Sequence, residues 1–135
     1  MDKIDKIIIN ELKKDSSISL KTLSKLTKIR PSTLHQRISK LKQNKVISYT
    51  IKTDDELVGE NFIVYMMVQT ETMIDNKVFS DHHIKEVYGI TGEYDLMIKM
   101  KFKDVKEFND FIINFREKHN LKKTLTMIGT VKIKD

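Results

Sequence analysis

The sequence contains no cysteine, one proline and four glycines among its 135 residues. The absence of cysteine excludes disulfides and thiolate metal sites, and it permits a reducing compartment. Long apolar runs are also missing: the longest, over residues 62–68, is far shorter than the about 20 residues of a transmembrane helix. Asp2, Lys3 and Asp5 do not form the basic n-region of a secretory signal, so we expect a cytoplasmic protein without a membrane partner.

Acidic residues are absent from residues 16–53, although this stretch contains nine lysines and arginines. Residues 1–50 contain 12 basic and four acidic residues, a net charge of +8, whereas residues 51–135 contain 13 and 15, a net charge of −2. A block of like charge repels itself unless it faces a polyanion, and counterion release favours its binding to phosphates. The asymmetry therefore predicts double-stranded DNA as a partner; a solvated basic face is the alternative interpretation.

The change in charge also indicates two small modules, separated by a polar stretch at residues 52–56. We predict a DNA-binding domain over residues 1–50, a linker or hinge strand over residues 51–60, and a second domain over residues 61–135. Each module is small, so burial against a partner or a second copy is expected to complete its core.

The first module has the pattern of three helices and a strand. Helices are predicted over residues 3–14 after the cap Asp2, over a short segment after the cap Ser19, and over residues 31–43, where Pro31 suits the first helical position. The residues expected to face the core are Ile4, Ile7, Ile8, Leu12, Leu20, Leu23, Leu26, Leu34, Ile38 and Leu41. Residues 46–51 suit a wing strand, so the module is predicted to be a winged helix-turn-helix.

The third helix is the predicted recognition helix. Because the N-terminal part of such a helix reaches base edges, the candidates for base reading are Ser32, Thr33, His35 and Gln36. Gln36 suits a bidentate contact with adenine, whereas the alternative for Ser32 and Thr33 is that they only support the helix start. Arg37 lies beside the core edge, where it either reaches a phosphate or braces the fold. The candidates for phosphate contacts are Lys40, Lys42 and Lys45.

The second module has the strand and helix order of a ferredoxin-like fold. Strands are predicted over residues 62–68, 87–91, 94–102 and 124–134, with a short helix within residues 75–84. Asp104 is expected to cap a further helix, with Glu107 completing a capping-box pattern. The order βαββαβ defines an α+β fold with both helices on one face of the sheet, and the bare apolar face predicts a homodimer.

Together these features resemble the leucine-responsive regulatory protein family of transcription regulators, also called Lrp/AsnC. The resemblance covers residues 2–132 and is carried by Asp2, Asp5, residues 32–38, Leu41, Val46, Ile47, Val87, Tyr88, residues 91–95, Thr124 and residues 126–128. It implies a sequence-specific DNA-binding regulator. It also implies that the second domain joins chains into dimers, tetramers or octamers and binds a free amino acid as effector.

By this resemblance, the effector site comprises Gly92, Glu93, Tyr94, Asp95, Thr124 and Thr126. A carboxylate there suits the α-ammonium of an amino acid, and hydroxyl and N–H groups suit its carboxylate. The alternative is a hairpin turn in which Asp95 accepts hydrogen bonds from local backbone N–H groups.

The sequence departs from the family at three places. Lysine stands at positions 28 and 45, in turns where the family has glycine, and Asn44 is predicted to adopt the left-handed conformation in place of the second glycine. The segment over residues 70–84 is shorter than in the family by about one helical turn. The shorter segment is consistent with a regulator that has lost its response to an effector.

Catalysis is not expected, because the sequence offers no clustered nucleophile, acid–base pair or metal set. Its four histidines are scattered, and the adjacent His82 and His83 do not share a face of a helix. No phosphate-binding glycine loop is present, and we predict neither a cofactor nor a metal site. The competing function is an architectural protein that compacts DNA with little sequence preference and no effector.

Overall fold

Three helices form the first of two compact units, Met1–Lys52 and Thr53–Asp135. The structure is a computed structural model that describes residues 1–119 and 121–135. The helices are α1 (Lys3–Lys14), α2 (Leu20–Thr27) and α3 (Pro31–Gln43), and they begin where the predicted caps stand. At the start of α1, the Asp2 carboxylate accepts the Asp5 N–H at 2.9 Å, and the Asp5 carboxylate accepts the Asp2 N–H at 3.4 Å. This capping box pairs donors that the helix itself leaves without partners.

Buried side chains from all three helices form the core of this unit: Ile8, Leu23, Leu34 and Leu41, which are at most 5% exposed. Leu26 was predicted in the core but is 61% exposed. Its neighbour Thr27 is half-buried instead, and the Thr27 hydroxyl donates to the Leu23 carbonyl at 2.8 Å. The inward face of α2 therefore lies on the Thr27 side of the helix, which leaves Leu26 at its edge.

The turns on either side of α3 each contain a lysine in the left-handed conformation. Lys28 has φ 57° and ψ 27°, and Lys45 has φ 55°. Asn44 has φ −81°, so the prediction that it adopts this conformation is wrong. The Lys45 N–H donates to the Lys42 carbonyl at 3.0 Å, and the Val46 N–H donates to the Leu41 carbonyl at 2.9 Å. This pair of bonds is a Schellman motif, whose left-handed residue follows the C-cap and is therefore Lys45.

Residues 46–51 form no strand, so the prediction of a wing strand is wrong. The predicted linker over residues 51–60 contains a turn at residues 55–59. A strand needs a partner for its backbone N–H and C=O groups, and the described elements of Met1–Lys52 are all helices. Tyr49 instead contacts α3, where the Lys42 Nζ lies 4.4 Å from the Tyr49 ring centroid.

The second unit contains a four-stranded antiparallel sheet of β1 (Phe62–Thr70), β2 (Ile84–Gly89), β3 (Leu96–Phe102) and β4 (Leu121–Ile128) in the order β2-β3-β1-β4. A short 3₁₀ helix, Asn76–Ser80, precedes β2, and α4 (Val105–Lys118) precedes β4. This is the predicted ferredoxin-like arrangement. β4 ends at Ile128, well before residue 134, and directly after it the Gly129 N–H donates to the Ile63 carbonyl of β1 at 2.8 Å.

One face of the sheet packs against α4, and the other face is bare. The packed face consists of Val64, Met66, Val68, Ile98, Met100 and Phe102 together with Phe108, Ile112 and Phe115 of α4. The bare face includes Tyr65, Tyr88, Leu125 and Met127, which are 36–60% exposed. Both faces of β1 are apolar, as predicted, but this unit covers only one of them.

The N-terminus of α4 differs slightly from the predicted capping box. Asp104 accepts the Glu107 N–H at 2.9 Å, whereas the Glu107 carboxylate accepts the Lys103 N–H at 2.6 Å. Among the described residues, no helix is both long enough and apolar enough to span a bilayer.

Candidate functional site

The outward face of α3 is polar and carries no acidic residue. Ser32, His35, Gln36 and Lys40 are exposed, Thr33 is half-buried, and Leu34 and Leu41 anchor the opposite side in the core. The helix begins with Pro31, and its N-cap Arg30 makes no side-chain capping hydrogen bond. Because Pro31 has no N–H and the Leu34 N–H donates to the Arg30 carbonyl at 3.0 Å, the first-turn N–H groups that suit an anion such as a phosphate are those of Ser32 and Thr33.

Arg37 joins α3 to the start of α1. Its guanidinium is half-buried and forms ion pairs with Asp2 and, at 3.4 Å, with Asp5. The hydrogen bond from the Asp5 N–H, followed by the one from Arg37, lowers the pKa of Asp2, and Asp2 in turn raises the pKa of Arg37. Of the two roles predicted for Arg37, this geometry corresponds to the brace.

The remaining predicted phosphate contacts are exposed lysines. Lys40 and Lys42 lie in the last turn of α3, and Lys45 lies in the turn that follows it. The cation–π contact with Tyr49 limits the freedom of Lys42. We call these lysines, together with the polar residues at the start of α3, the α3 surface: Ser32, Thr33, His35, Gln36, Lys40, Lys42 and Lys45.

The loop between β2 and β3 contains four of the predicted effector residues: Gly92, Glu93, Tyr94 and Asp95. Asp95 fixes the loop to the end of β1, because its Oδ2 accepts the Thr70 backbone N–H at 2.8 Å and lies 3.4 Å from the Thr70 hydroxyl. Its own backbone N–H donates to the Val68 carbonyl at 2.9 Å. The alternative interpretation predicted that Asp95 accepts hydrogen bonds from backbone N–H groups of its own hairpin. Asp95 does accept a backbone N–H, but the donor is Thr70 of β1. Gly92 has φ 112°, a conformation that side chains disfavour, so glycine is required there.

Lys123 of β4 lies over this loop. It forms an ion pair with Glu93, and its Nζ lies 5.4 Å from the centroid of the Tyr94 ring. The Glu93 carboxylate raises the pKa of Lys123. Neither Lys123 nor Thr70 was among the predicted site residues. In the sequence, Lys123 is marked only by its position next to Thr124. No pattern near either residue predicts that Lys123 and Glu93 form an ion pair.

The two predicted threonines lie on the α4 side of β4. Thr124 pairs with Val68 and Thr126 pairs with Met66 in the sheet register, and both are half-buried. Arg116 Nη2 of α4 lies 3.4 Å from the Thr124 hydroxyl. Val68 of β1 therefore accepts a hydrogen bond from Asp95 on one edge of the strand and pairs with Thr124 of β4 on the other edge. The structure thus brings the loop and Thr124 to the same end of β1, and Thr126 lies two residues further along β4.

A helix-turn-helix with a basic recognition helix, followed by a separate ferredoxin-like unit, defines a DNA-binding regulator class. The chain matches the models of the AsnC-type helix-turn-helix domain over residues 1–42 and of the Lrp/AsnC ligand binding domain over residues 74–135. The chain belongs to the Lrp/AsnC family of transcription regulators, which confirms the resemblance drawn from its residues.

Named relatives agree with this assignment. The chain is 32% identical over 133 residues to the HTH-type transcriptional regulator FL11 of Pyrococcus furiosus, covering 95% of this chain and 88% of the relative. Its fold is similar to an AsnC family transcriptional regulator from Agrobacterium tumefaciens, with TM-score 0.89 and 21% identity over 100% of this chain and 94% of the other. It is equally similar to the transcriptional regulator NMB0573 of Neisseria meningitidis in complex with L-Met, with TM-score 0.89 and 20% identity over 100% and 93% of the two chains.

Proposed function

We propose that this regulator recognises a defined operator through the α3 surface. The observation that carries the proposal is the combination of an exposed Ser32, His35 and Gln36 at the start of α3 with the absence of any acidic residue from positions 16–53. Lys40, Lys42 and Lys45 supply phosphate contacts that fix the orientation of the helix, and Gln36 supplies base discrimination. No catalytic role is proposed. We propose that the protein acts in the cytoplasm.

The test compares binding to a selected operator with binding to random DNA at one salt concentration. An operator regulator is expected to prefer its site by about 10³-fold or more. An architectural, DNA-compacting protein would bind both DNAs about equally, and this result would replace the proposal.

Gln36→Ala is the sharper variant for the same assay. It is expected to cost about 1–3 kcal/mol at one base pair and to relax selectivity there. Gln43→Ala is the matched control, because Gln43 is an exposed glutamine in the last turn of the same helix. Equal weakening by Gln36→Ala on operator and random DNA would remove the base-reading role.

The bare face of the sheet supports pairing with a second copy. Tyr65, Tyr88, Leu125 and Met127 leave apolar side chains exposed on this face, and large exposed apolar patches are rare on monomers unless they are used. A symmetric dimer presents two α3 helices to half-sites separated by about 34–36 Å or a multiple of it, so the operator is expected to be roughly palindromic. Larger assemblies, tetramers or octamers, extend the same proposal.

The loop over residues 92–95 is the proposed amino-acid site. Glu93, Asp95 and Lys123 place both charge signs at one end of β1, which suits a zwitterion. The L-Met bound to the neisserial relative supports an amino acid as the ligand class. Calorimetry across the common amino acids, repeated on Asp95→Ala, tests this site. No heat from any amino acid would favour a regulator without an effector, and equal binding by Asp95→Ala would place the site elsewhere.

A further inference from the structure

Three potential metal ligands lie together where the 3₁₀ helix is followed by β2. Asp81, His82 and His83 come directly after Asn76–Ser80, and one ligand atom from each lies within 4.8 Å of the other two. Adjacent histidines diverge on a helix, which is why the sequence predicted no metal site here. The structure places them in a turn instead, and their ring centroids are 3.9 Å apart.

The His83 side chain is fixed in position by its surroundings. Its side chain is 14% exposed, and its ring stacks on Phe102 at 4.7 Å between centroids. The His83 carbonyl accepts the Lys101 N–H at 2.9 Å, which ties the turn to β3. His83 Nε2 lies 2.9 Å from Glu107 Oε1, and the other Glu107 oxygen accepts the Lys103 N–H at 2.6 Å. His83 is therefore oriented before any ligand binds.

The other nitrogen of His83 faces a carboxylate. His83 Nδ1 lies 2.8 Å from Asp81 Oδ1, which also accepts the His83 backbone N–H at 2.8 Å. His83 Nε2 lies beside Glu107, so His83 Nδ1 and Asp81 Oδ1 are two potential ligand atoms side by side on the other side of the ring.

We infer that Asp81, His82 and His83 bind a divalent transition-metal ion of the Zn²⁺ class. Two imidazole nitrogens and one carboxylate oxygen suit Zn²⁺ and its neighbours in the first transition row, whereas Mg²⁺ and Ca²⁺ prefer oxygen ligands alone. His82 is 80% exposed, and its Nδ1 lies 3.8 Å from Asp81 Oδ1, so small rotations bring it to the ion. Glu107 acts as a positioning residue, because a carboxylate that accepts the far N–H of a ligating histidine fixes its tautomer.

Calorimetric titration of the full chain with Zn²⁺ tests this site, with Mg²⁺ as the comparison ion. We expect one Zn²⁺ per chain and no binding of Mg²⁺. His82→Ala is expected to remain unsaturated at Zn²⁺ concentrations that saturate the wild type. Glu107→Gln is expected to lower the affinity by about ten- to a hundredfold, because the orienting charge is removed. His35→Ala is the matched control for metal binding: it removes an exposed histidine from the other unit and is expected to keep the full Zn²⁺ affinity.

A second readout separates ligation from unspecific binding. Co²⁺ bound through imidazole nitrogens gives ligand-field bands in visible light, and these bands are expected in the wild type and lost in His82→Ala. His82 contributes nothing to the core, so circular dichroism is expected to be unchanged in this variant. Absence of Zn²⁺ heat from the wild type, or equal Zn²⁺ binding by the wild type and His82→Ala, would overturn the inference.

Discussion

Replacing Lys28 with glycine is expected to stabilise the helix-turn-helix unit. Lys28 is exposed, and its backbone is left-handed, with φ 57° and ψ 27°. This conformation costs a residue with a Cβ about 1–2 kcal/mol. Glycine avoids that cost, although it loses about 0.5–1 kcal/mol more backbone entropy on folding. The expected net gain in the free energy of unfolding is therefore about 0–1.5 kcal/mol, with a midpoint of roughly 0.75 kcal/mol.

Lys28→Ala is the matched control, because it removes the same charge and keeps the Cβ. Urea unfolding followed by helical circular dichroism gives the free energy of unfolding for each variant. Lys28→Gly is expected to exceed the wild type, and Lys28→Ala is expected to equal it or fall below it. If the glycine variant is no more stable than the alanine variant, the left-handed backbone at position 28 costs no more than the extra entropy loss of glycine, and the expected gain is refuted.

Three further predictions concern DNA binding, assembly and pH. Lys45→Gly relieves the same strain at φ 55° but removes a proposed phosphate contact, so the variant should unfold at higher urea yet bind all DNA less tightly. The slope of its affinity against salt should fall by about one unit, and an unchanged slope would remove the phosphate role. Met127→Lys places a charge on the bare sheet face and should yield a monomeric mass by light scattering; a retained dimer would move the interface elsewhere. The Asp55 carboxylate accepts a hydrogen bond from Lys101 Nζ at 2.6 Å, and this bond lowers the pKa of Asp55 below its ordinary value of 3.8. Because this hydrogen bond stabilises the ionised carboxylate in the folded state, Asp55→Asn should cost about 1 kcal/mol at neutral pH. In thermal unfolding, the loss of stability caused by Asp55→Asn should shrink as the pH falls below 3.8 through the lowered pKa of Asp55. A loss of stability that does not change with pH would contradict a stabilising role of the ionised Asp55.

Local signals predicted the helices well. Asp2, Ser19 and Pro31 mark the starts of α1, α2 and α3, because caps and the first helical position depend on residues within one turn. The turn after α3 was harder. The sequence preference of asparagine pointed to Asn44, but the hydrogen-bond pattern of the Schellman motif determined that Lys45 adopts the left-handed conformation.

Features that need a distant partner were not predictable from one sequence. The apolar pattern over residues 46–51 suits a strand, yet a strand depends on a neighbour that this unit does not supply among its described residues. At the candidate site, Asp95 could be predicted from the loop, but its partner Thr70 lies 25 positions away. Lys123 lies 30 positions from Glu93 and joins it only because β4 pairs beside β1.

The bond between Asp95 and Thr70 sets a condition on any ligand of the proposed amino-acid site. A ligand that takes the Asp95 carboxylate for itself leaves the Thr70 N–H without its acceptor, and an orphaned donor costs about 1–3 kcal/mol. A cation alone cannot replace that acceptor. A molecule with an ammonium group beside a carboxylate satisfies both halves at once, since the ammonium donates to Asp95 while the carboxylate accepts from Thr70. If the proposed amino-acid site is used, such an exchange would favour α-amino acids over simple amines, because an amine alone returns no acceptor to the Thr70 N–H.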